Sequence, residues 1–112
     1  MGSSFAADAQ VTGIGDLANL PTVYDLGARP NPVRQSSTIT LSLPRTGRVD
    51  LDVFDVAGRH VSSLFHGDMK AGVASVQWNA RDEAGARVPT GVYLLRMKTP
   101  ETDRTLKLVL RR

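Results

Sequence analysis

Five side chains in the middle of the sequence are of types that bind metal ions or transfer protons. Asp50, Asp52 and Asp55 carry carboxylates of the kind that calcium prefers, and His60 and His66 carry imidazoles. Asp50 and Asp52 are two residues apart, which places both on the same face of a strand. The spacing of a calcium loop and its closing glutamate are absent, and zinc catalysis needs a third protein ligand beside two histidines. The pattern predicts a solvated strand face, with a weak surface calcium site as the alternative, and no catalytic metal.

Three other patterns suggest chemistry but lack the context that the chemistry requires. Gly13–Ala18 has the glycine spacing of a dinucleotide-binding loop, yet no strand precedes it and Pro21 would stop the helix that must follow. Ser62–Ser63 lacks the strand, turn and helix that surround a nucleophilic serine. Asp82–Glu83 lies in a loop, whereas glycosidase carboxylates must flank a bond at about 5–9 Å from each other. We therefore predict a protein that is not an enzyme and that needs no cofactor.

The composition narrows the classes of protein further. The chain has 112 residues, of which 41% are apolar, with 14 basic and 11 acidic side chains, a net charge of +3 and no cysteine. This suits one globular domain and excludes a TIM barrel, which needs about 250 residues. No run reaches the roughly 18 apolar residues of a membrane-spanning helix, and a disulfide scaffold is excluded. The charges of both signs are interspersed, which argues against nucleic acid as a partner.

Alternation of polar and apolar residues indicates that strands position these side chains. Ile39, Leu41 and Leu43 recur with a period of two and must share one face. Strands are predicted at 38–43, 48–55, 59–65, 73–78, 91–98 and 104–110, with a further one near 23–26. Residues 66–72 and 79–90 are predicted as loops between them. Trp78 and Tyr93 are expected to fill the core, whereas Phe54 faces outward by alternation and is a candidate contact residue.

The order of these elements predicts an antiparallel β-sandwich, because the strands are short, regularly spaced and separated by turn residues. The turns are expected at Asp55–Gly58, Asp82–Gly85 and Pro89–Gly91, where Asp can bond its own backbone and Gly accepts a positive φ. Residues 1–22 have no sustained period and are predicted to be a tail or linker that precedes a domain at 23–112. They lack the charged and apolar regions of a signal peptide. The chain is therefore expected to be part of a longer protein.

The short motifs in and between the predicted strands resemble those of a known family. The residues that carry the resemblance are Asn31–Pro32, Ser37–Ile39, Leu43–Pro44, Gly47–Val49, Val53–Arg59, Ala71–Gly72, Trp78, Arg81–Gly85, Val88–Tyr93 and Leu106–Leu110. In this order they resemble FlgD immunoglobulin-like domains and the similar C-terminal sorting domains of type IX secretion, the Por system. The resemblance covers residues 23–112 and implies an all-β, immunoglobulin-like sandwich of about seven strands. One departure is Arg29, which stands where the family has an aromatic residue.

The resemblance also implies a function and a location. Such domains belong to larger secreted or surface proteins of bacteria, in which an upstream domain of the same polypeptide is catalytic or adhesive. They are read by an outer-membrane translocon or by surface components after passage through the periplasm. The residues that the partner is expected to recognise lie in the last strand and at its end: Lys107, Leu108, Val109, Leu110, Arg111 and Arg112. A partner strand could add to this edge, with the two arginines supplying charge.

Two classes of function therefore stand beside each other. The first is a non-catalytic module for sorting or surface anchoring. The second is an accessory binding module for carbohydrate or protein, with Phe54 as the residue to test, or an assembly domain like that of the flagellar hook cap. An alternative interpretation of Arg111 and Arg112 is that they only keep a sheet edge soluble.

Overall fold

Seven antiparallel strands form two facing sheets in the computed structural model, which describes residues 20–112. The strands are β1 (Asp25–Arg29), β2 (Ser37–Leu43), β3 (Gly47–Asp55), β4 (His60–Met69), β5 (Gly72–Trp78), β6 (Gly91–Lys98) and β7 (Asp103–Leu110). One sheet has the order β1-β2-β5 and the other the order β4-β3-β6-β7. The predicted seven-strand sandwich is confirmed, and β6 has the central position that its apolar sequence favours.

The core lies between the sheets and is built from the alternating positions. In β3, Val49, Leu51 and Val53 are buried while Asp50 and Asp52 between them reach the outer face. The largest fully buried side chains come from both sheets and from the segment before β2: Trp78, Ile39, Leu41, Leu43, Leu51, Leu95, Met97, Leu108, Leu110, Val33, Val49 and Val53. The faces predicted from the period of two are therefore confirmed.

Two buried aromatic side chains join the two sheets. Trp78 on β5 and Tyr93 on β6 meet edge to face, with ring centroids 5.6 Å apart and an interplanar angle of 63°. The Tyr93 hydroxyl donates to the carbonyl oxygen of Pro89, four residues upstream, at 2.5 Å. Burial raises the pKa of this phenol above its ordinary value. Both rings fill the interior as predicted, and they are not available as a sugar-binding platform.

Strand β4 is longer than its sequence predicts. Residues 66–72 were expected to form a loop, but β4 continues to Met69 and remains paired with β3 as far as Gly47. Gly67 adopts a φ of +153°, and the register with β3 shifts between Leu51 and Asp52. These irregularities let the strand absorb residues that are typical of loops, because a bulge takes up the mismatch and Met69 is buried at the far end. The prediction of a loop at 66–72 is therefore wrong for residues 66–69 and 72, and only residues 70–71 connect β4 to β5.

Two turns share the same hydrogen-bonding arrangement. Asp55 Oδ1 accepts from the backbone N–H groups of Ala57 and Arg59, each at 2.9 Å, and Gly58 has a φ of +86°. Asp82 Oδ1 likewise accepts from the N–H groups of residues 84 and 86, at 3.0 and 2.9 Å. Each aspartate satisfies the turn's backbone donors, so both Asp…Gly patterns serve the fold as predicted.

Candidate binding surfaces

The residues expected to be read by a partner do not all reach the surface. Leu108 and Leu110 are buried in the core, with at most 1% of their surface exposed. Lys107, Arg111 and Arg112 are exposed, and Val109 is half-buried. A partner docking here would therefore contact the basic side chains rather than the leucines of β7.

The backbone edge of β7 is partly occupied by the chain itself. We call residues 31–33, which precede β2, the strap. Asn31 Nδ2 donates to the Lys107 carbonyl oxygen at 2.8 Å, and Asn31 Oδ1 accepts from the Val109 N–H at 3.1 Å. The Val33 N–H donates to the Val109 carbonyl oxygen at 2.6 Å, and the Arg111 N–H donates to that of Val33 at 2.8 Å. Strand addition along residues 107–111 would have to displace the strap.

Phe54 lies on the outer face of the four-stranded sheet, as its alternation predicts. Its ring is half-buried and packs edge to face against His60, with ring centroids 5.5 Å apart. The contact occurs because Phe54 and His60 are paired residues at the end of the β3–β4 hairpin. Part of the ring is thus covered by the chain's own histidine.

Beside Phe54 lies a cluster of four polar side chains, Asp50, Asp52, His60 and His66, which we call the histidine–aspartate cluster. His66 bonds a different carboxylate with each ring nitrogen: Nδ1 lies 2.8 Å from Asp50 Oδ1 and Nε2 lies 2.9 Å from Asp52 Oδ1. His60 Nε2 also lies 2.9 Å from Asp52 Oδ1. Since both His66 nitrogens face acceptors, the arrangement favours the doubly protonated imidazolium.

The charged groups around the cluster shift the pKa values of its members. The hydrogen bond to Asp52, reinforced by the negative charges of Asp52 and Asp50, raises the pKa of His66 above its ordinary value. The hydrogen bond from Arg48 is the main cause that lowers the pKa of Asp50. Partial burial pushes the pKa of Asp52 upward, but hydrogen bonds from His66, His60 and Ser63 outweigh it and the net shift is downward. The cluster is therefore a network of mutually stabilised charges.

This network predicts how stability depends on pH. The contribution of His66 is fully present below its unfolded pKa of about 6.5 and is lost as the pH rises through the raised folded pKa. The contribution of Asp50 and Asp52 is present above about pH 3.9 and is lost as the pH falls through their lowered pKa values. We expect the cluster to be most stabilising between about pH 4 and 6.5. The urea concentration at the unfolding midpoint should therefore decrease as the pH is raised above this range. His66→Gln should make that decrease smaller.

An NMR titration of the His66 ring provides the direct check. The ring should remain protonated to a higher pH than an unperturbed histidine, whose pKa is about 6.5. If the ring instead titrates at or below that value, the bonds to Asp50 and Asp52 do not hold the imidazolium in solution.

The cluster lacks the geometry of a hydrolase. Ser63 Oγ lies 3.1 Å from His60 Nε2, which is the same nitrogen that contacts Asp52. In a serine–histidine–aspartate triad the hydroxyl and the carboxylate bond opposite ring nitrogens, because one must accept and the other donate. A single nitrogen cannot do both, so His60 cannot act as a base toward Ser63 while it donates to Asp52.

The remaining candidates from the sequence are also accounted for. Among residues 20–112, no group of three or more histidines, aspartates or glutamates is arranged to hold a metal ion. Glu83 Oε1 accepts from the Ser63 N–H at 2.7 Å, and Asp82 binds its own turn. Gly13–Ala18 lies outside the described residues. Within the described part of the chain there is no helix of the length and apolar character needed to cross a membrane.

One surface was missed by the sequence analysis. Arg81 and Arg87, together with Arg112, line an open cleft at one end of the sandwich. Of these three arginines, the sequence analysis names only Arg112 as a candidate binding residue. The available signal was that Arg81 and Arg87 flank the Asp82–Gly85 turn, which folds the loop back and brings them opposite each other.

The fold and its interior define the class of protein. Two antiparallel sheets with β4-β3-β6-β7 facing β1-β2-β5, and a tyrosine at the start of the central strand that bonds back to upstream backbone, are typical of an immunoglobulin-like domain. Residues 32–103, more than half of the chain, match the FlgD Ig-like domain family. The chain belongs to this family, which confirms the resemblance seen in the sequence.

Solved structures share the fold. Latent PorU from Porphyromonas gingivalis is 24% identical with a TM-score of 0.62, over 80% of this chain and 9% of that one. PorZ, described as an essential bacterial surface component of the type IX secretion system of P. gingivalis, is 24% identical with a TM-score of 0.55, over 78% of this chain and 11% of that one. FlgD from P. aeruginosa is 23% identical with a TM-score of 0.53, over 80% of this chain and 74% of that one.

The matches to PorU and PorZ cover only one domain of each of those proteins. The chain spans about a tenth of the length of PorU and of PorZ. None of the curated proteins matches the sequence. The solved structures therefore show the immunoglobulin-like fold, and the family match shows that the domain is of the FlgD type.

Proposed function

We propose that the chain is a non-catalytic module of a larger secreted bacterial protein and acts as a signal for sorting or surface anchoring of the type IX kind. The observation that carries this proposal is that the side chains capable of chemistry are engaged in structural contacts. Asp55 and Asp82 hold turns, and His66 is held between two carboxylates. What remains for function is the shape and charge of the outer surface.

The basic end of β7 supports a role in recognition. Lys107, Arg111 and Arg112 are exposed on one edge of the sandwich, and the strap holds the backbone between them in a defined position. In this proposal the partner is an outer-membrane translocon or a surface component, and it reads these charges on a rigid edge. The likeness to PorZ, a surface component of such a system, is consistent with this setting. Residues 23–112 form the module, and an upstream domain is its cargo.

A reporter experiment tests the proposal. The 112-residue chain is fused to the C-terminus of a periplasmic reporter in a host with an active type IX system. We expect the reporter at the cell surface, and we expect Lys107→Gln with Arg111→Gln to reduce its delivery. The control, Arg45→Gln with Arg104→Gln, removes the same charge from other exposed positions and should leave delivery intact. A folded fusion that stays in the periplasm would overturn the proposal.

The family itself favours one alternative, an assembly domain like that of the flagellar hook cap. The match to the FlgD Ig-like family and the coverage of most of the P. aeruginosa FlgD structure support it. Replacing the Ig-like domain of FlgD with this chain distinguishes the two. Restored hook assembly, together with no surface delivery of the reporter, would favour the assembly domain.

A further inference from the structure

An open cleft at one end of the sandwich is lined almost entirely by cationic and amide-bearing side chains. Its volume is about 490 Å³, within the range of small-molecule sites. The lining residues are Gln35, Ser36, Asn79, Arg81, Arg87 and Arg112. We call this the arginine cleft. Three segments form it: the chain between the strap and β2, the connection from β5 to β6, and Arg112 after the end of β7.

Two of the arginines are held opposite each other by the backbone. Arg81 and Arg87 form an isolated antiparallel bridge, flanked by the hydrogen bonds Asp82 N–H to Ala86 at 2.8 Å and Val88 N–H to Ala80 at 3.1 Å. Directly opposed residues of an antiparallel pair project to the same side, where like charges are destabilising. The fold thus maintains a juxtaposition of positive charges that a bound anion would relieve.

Backbone carbonyls orient two of the guanidinium groups. Arg81 Nη1 donates to the Gly85 carbonyl oxygen at 2.9 Å, and Arg112 Nη1 donates to that of Val88 at 2.6 Å. Each guanidinium has five N–H donors, so these bonds leave most of the donors unused. The groups are positioned without being neutralised.

No carboxylate in residues 20–112 forms an ion pair with the arginines of the cleft. The nearest acids in sequence are committed elsewhere, because Asp82 binds its turn and Glu83 binds the Ser63 N–H. Four other arginines each contact a carboxylate, namely Arg45, Arg48, Arg59 and Arg96, whereas the remaining arginines of residues 20–112 form no ion pair. The cleft differs from both groups because it brings three unpaired arginines together. The cleft therefore concentrates positive charge that the described part of the protein does not compensate.

We propose that the arginine cleft binds a phosphate monoester. Guanidinium groups bind phosphate oxygens through paired N–H donors, and a dianion with three terminal oxygens matches three such groups better than a carboxylate does. The amides of Gln35 and Asn79 and the Ser36 hydroxyl supply neutral donors around them. No aromatic side chain lines the cleft, so recognition rests on charge and hydrogen bonding. This site shares Arg112 with the basic end of β7 proposed above for sorting, but Arg81 and Arg87 belong to the cleft alone.

The test is a titration of the full chain at fixed pH and ionic strength, followed by calorimetry and by backbone NMR shifts. The probes are inorganic phosphate, glucose 6-phosphate and vesicles that contain phosphatidic acid, which distinguish a free ion, a sugar ester and a lipid headgroup as the source. We expect saturable binding to at least one probe, with shifts at residues 79–88. Arg87→Gln should weaken it about 10-fold or more, as for the loss of charged hydrogen bonds.

Two further variants make the result decisive. Arg104→Gln removes the same charge from an exposed position on β7 outside the cleft and should change the dissociation constant less than about 2-fold, because its charge is screened by solvent. Arg87→Lys keeps the charge but loses the paired donors, so its binding should also weaken. Absence of saturable binding, or equal weakening by Arg104→Gln and Arg87→Gln, would overturn the proposal. Failure of reporter delivery with intact phosphate binding would affect only the sorting role.

Discussion

Replacing Trp78 with alanine is expected to lower the free energy of unfolding by about 3–5 kcal/mol, the usual cost of deleting a buried aromatic side chain. The indole is 1% exposed and meets the ring of Tyr93 across the two sheets. Its N–H donates to the Arg81 carbonyl oxygen at 3.2 Å, which fixes the start of the loop that forms the arginine cleft. Small domains are stable by only about 5–15 kcal/mol, so the variant should lie close to the unfolding threshold.

The measurement is urea unfolding followed by circular dichroism, since Trp78 is the single tryptophan and its fluorescence is lost in the variant. Trp78→Phe serves as an intermediate case, because it keeps an aromatic ring but leaves the Arg81 carbonyl without its donor. Val73→Ala is the surface control, since Val73 is 51% exposed on the same strand. A loss below about 1 kcal/mol for Trp78→Ala, within the range of ordinary surface substitutions, would mean that the ring does not join the two sheets.

The fold could be predicted from the sequence where a strand has one buried face and one solvent-exposed face. Ile39, Leu41 and Leu43 alternate without a break, and all three are buried. The period fails in β4 because a bulge changes which side chains face inward, and Gly67 gives the local sequence the character of a loop. Strand length there depends on pairing with β3 and on the burial of Met69, and neither is a local property of the sequence.

The binding surfaces could be predicted only in part, for a similar reason. Alternation correctly places Asp50 and Asp52 together on an outer face, but His66 reaches them only because β4 extends beyond its predicted end. The arginine cleft depends on a loop that folds back on itself and on the approach of Arg112 from another part of the chain. No periodicity reports such contacts, since they join residues through turns and chain ends rather than through regular strands.

The strap also escaped prediction, because two prolines near Asn31 indicate an extended segment without indicating where it docks. Its docking changes how accessible the edge of β7 is to another strand. An unprotected edge strand invites addition of another strand, whereas here the outward-facing backbone groups of Lys107, Val109 and Arg111 are already bonded. The strap thus acts as an internal cover for the edge, in which Asn31 and Val33 each make two of the hydrogen bonds.

Asn31→Ala should therefore lower the free energy of unfolding by about 1–3 kcal/mol, because two hydrogen bonds are lost at about 0.5–1.5 kcal/mol each. It should also increase hydrogen exchange at the Val109 amide, whose acceptor is Asn31 Oδ1. Asn31→Asp is the matched variant, since it keeps that acceptor but loses the donor to the Lys107 carbonyl oxygen. We expect it to protect the Val109 amide more than Asn31→Ala does. Sedimentation should reveal self-association of Asn31→Ala if the edge is exposed. Unchanged Val109 exchange in Asn31→Ala would contradict the role of the strap as a cover.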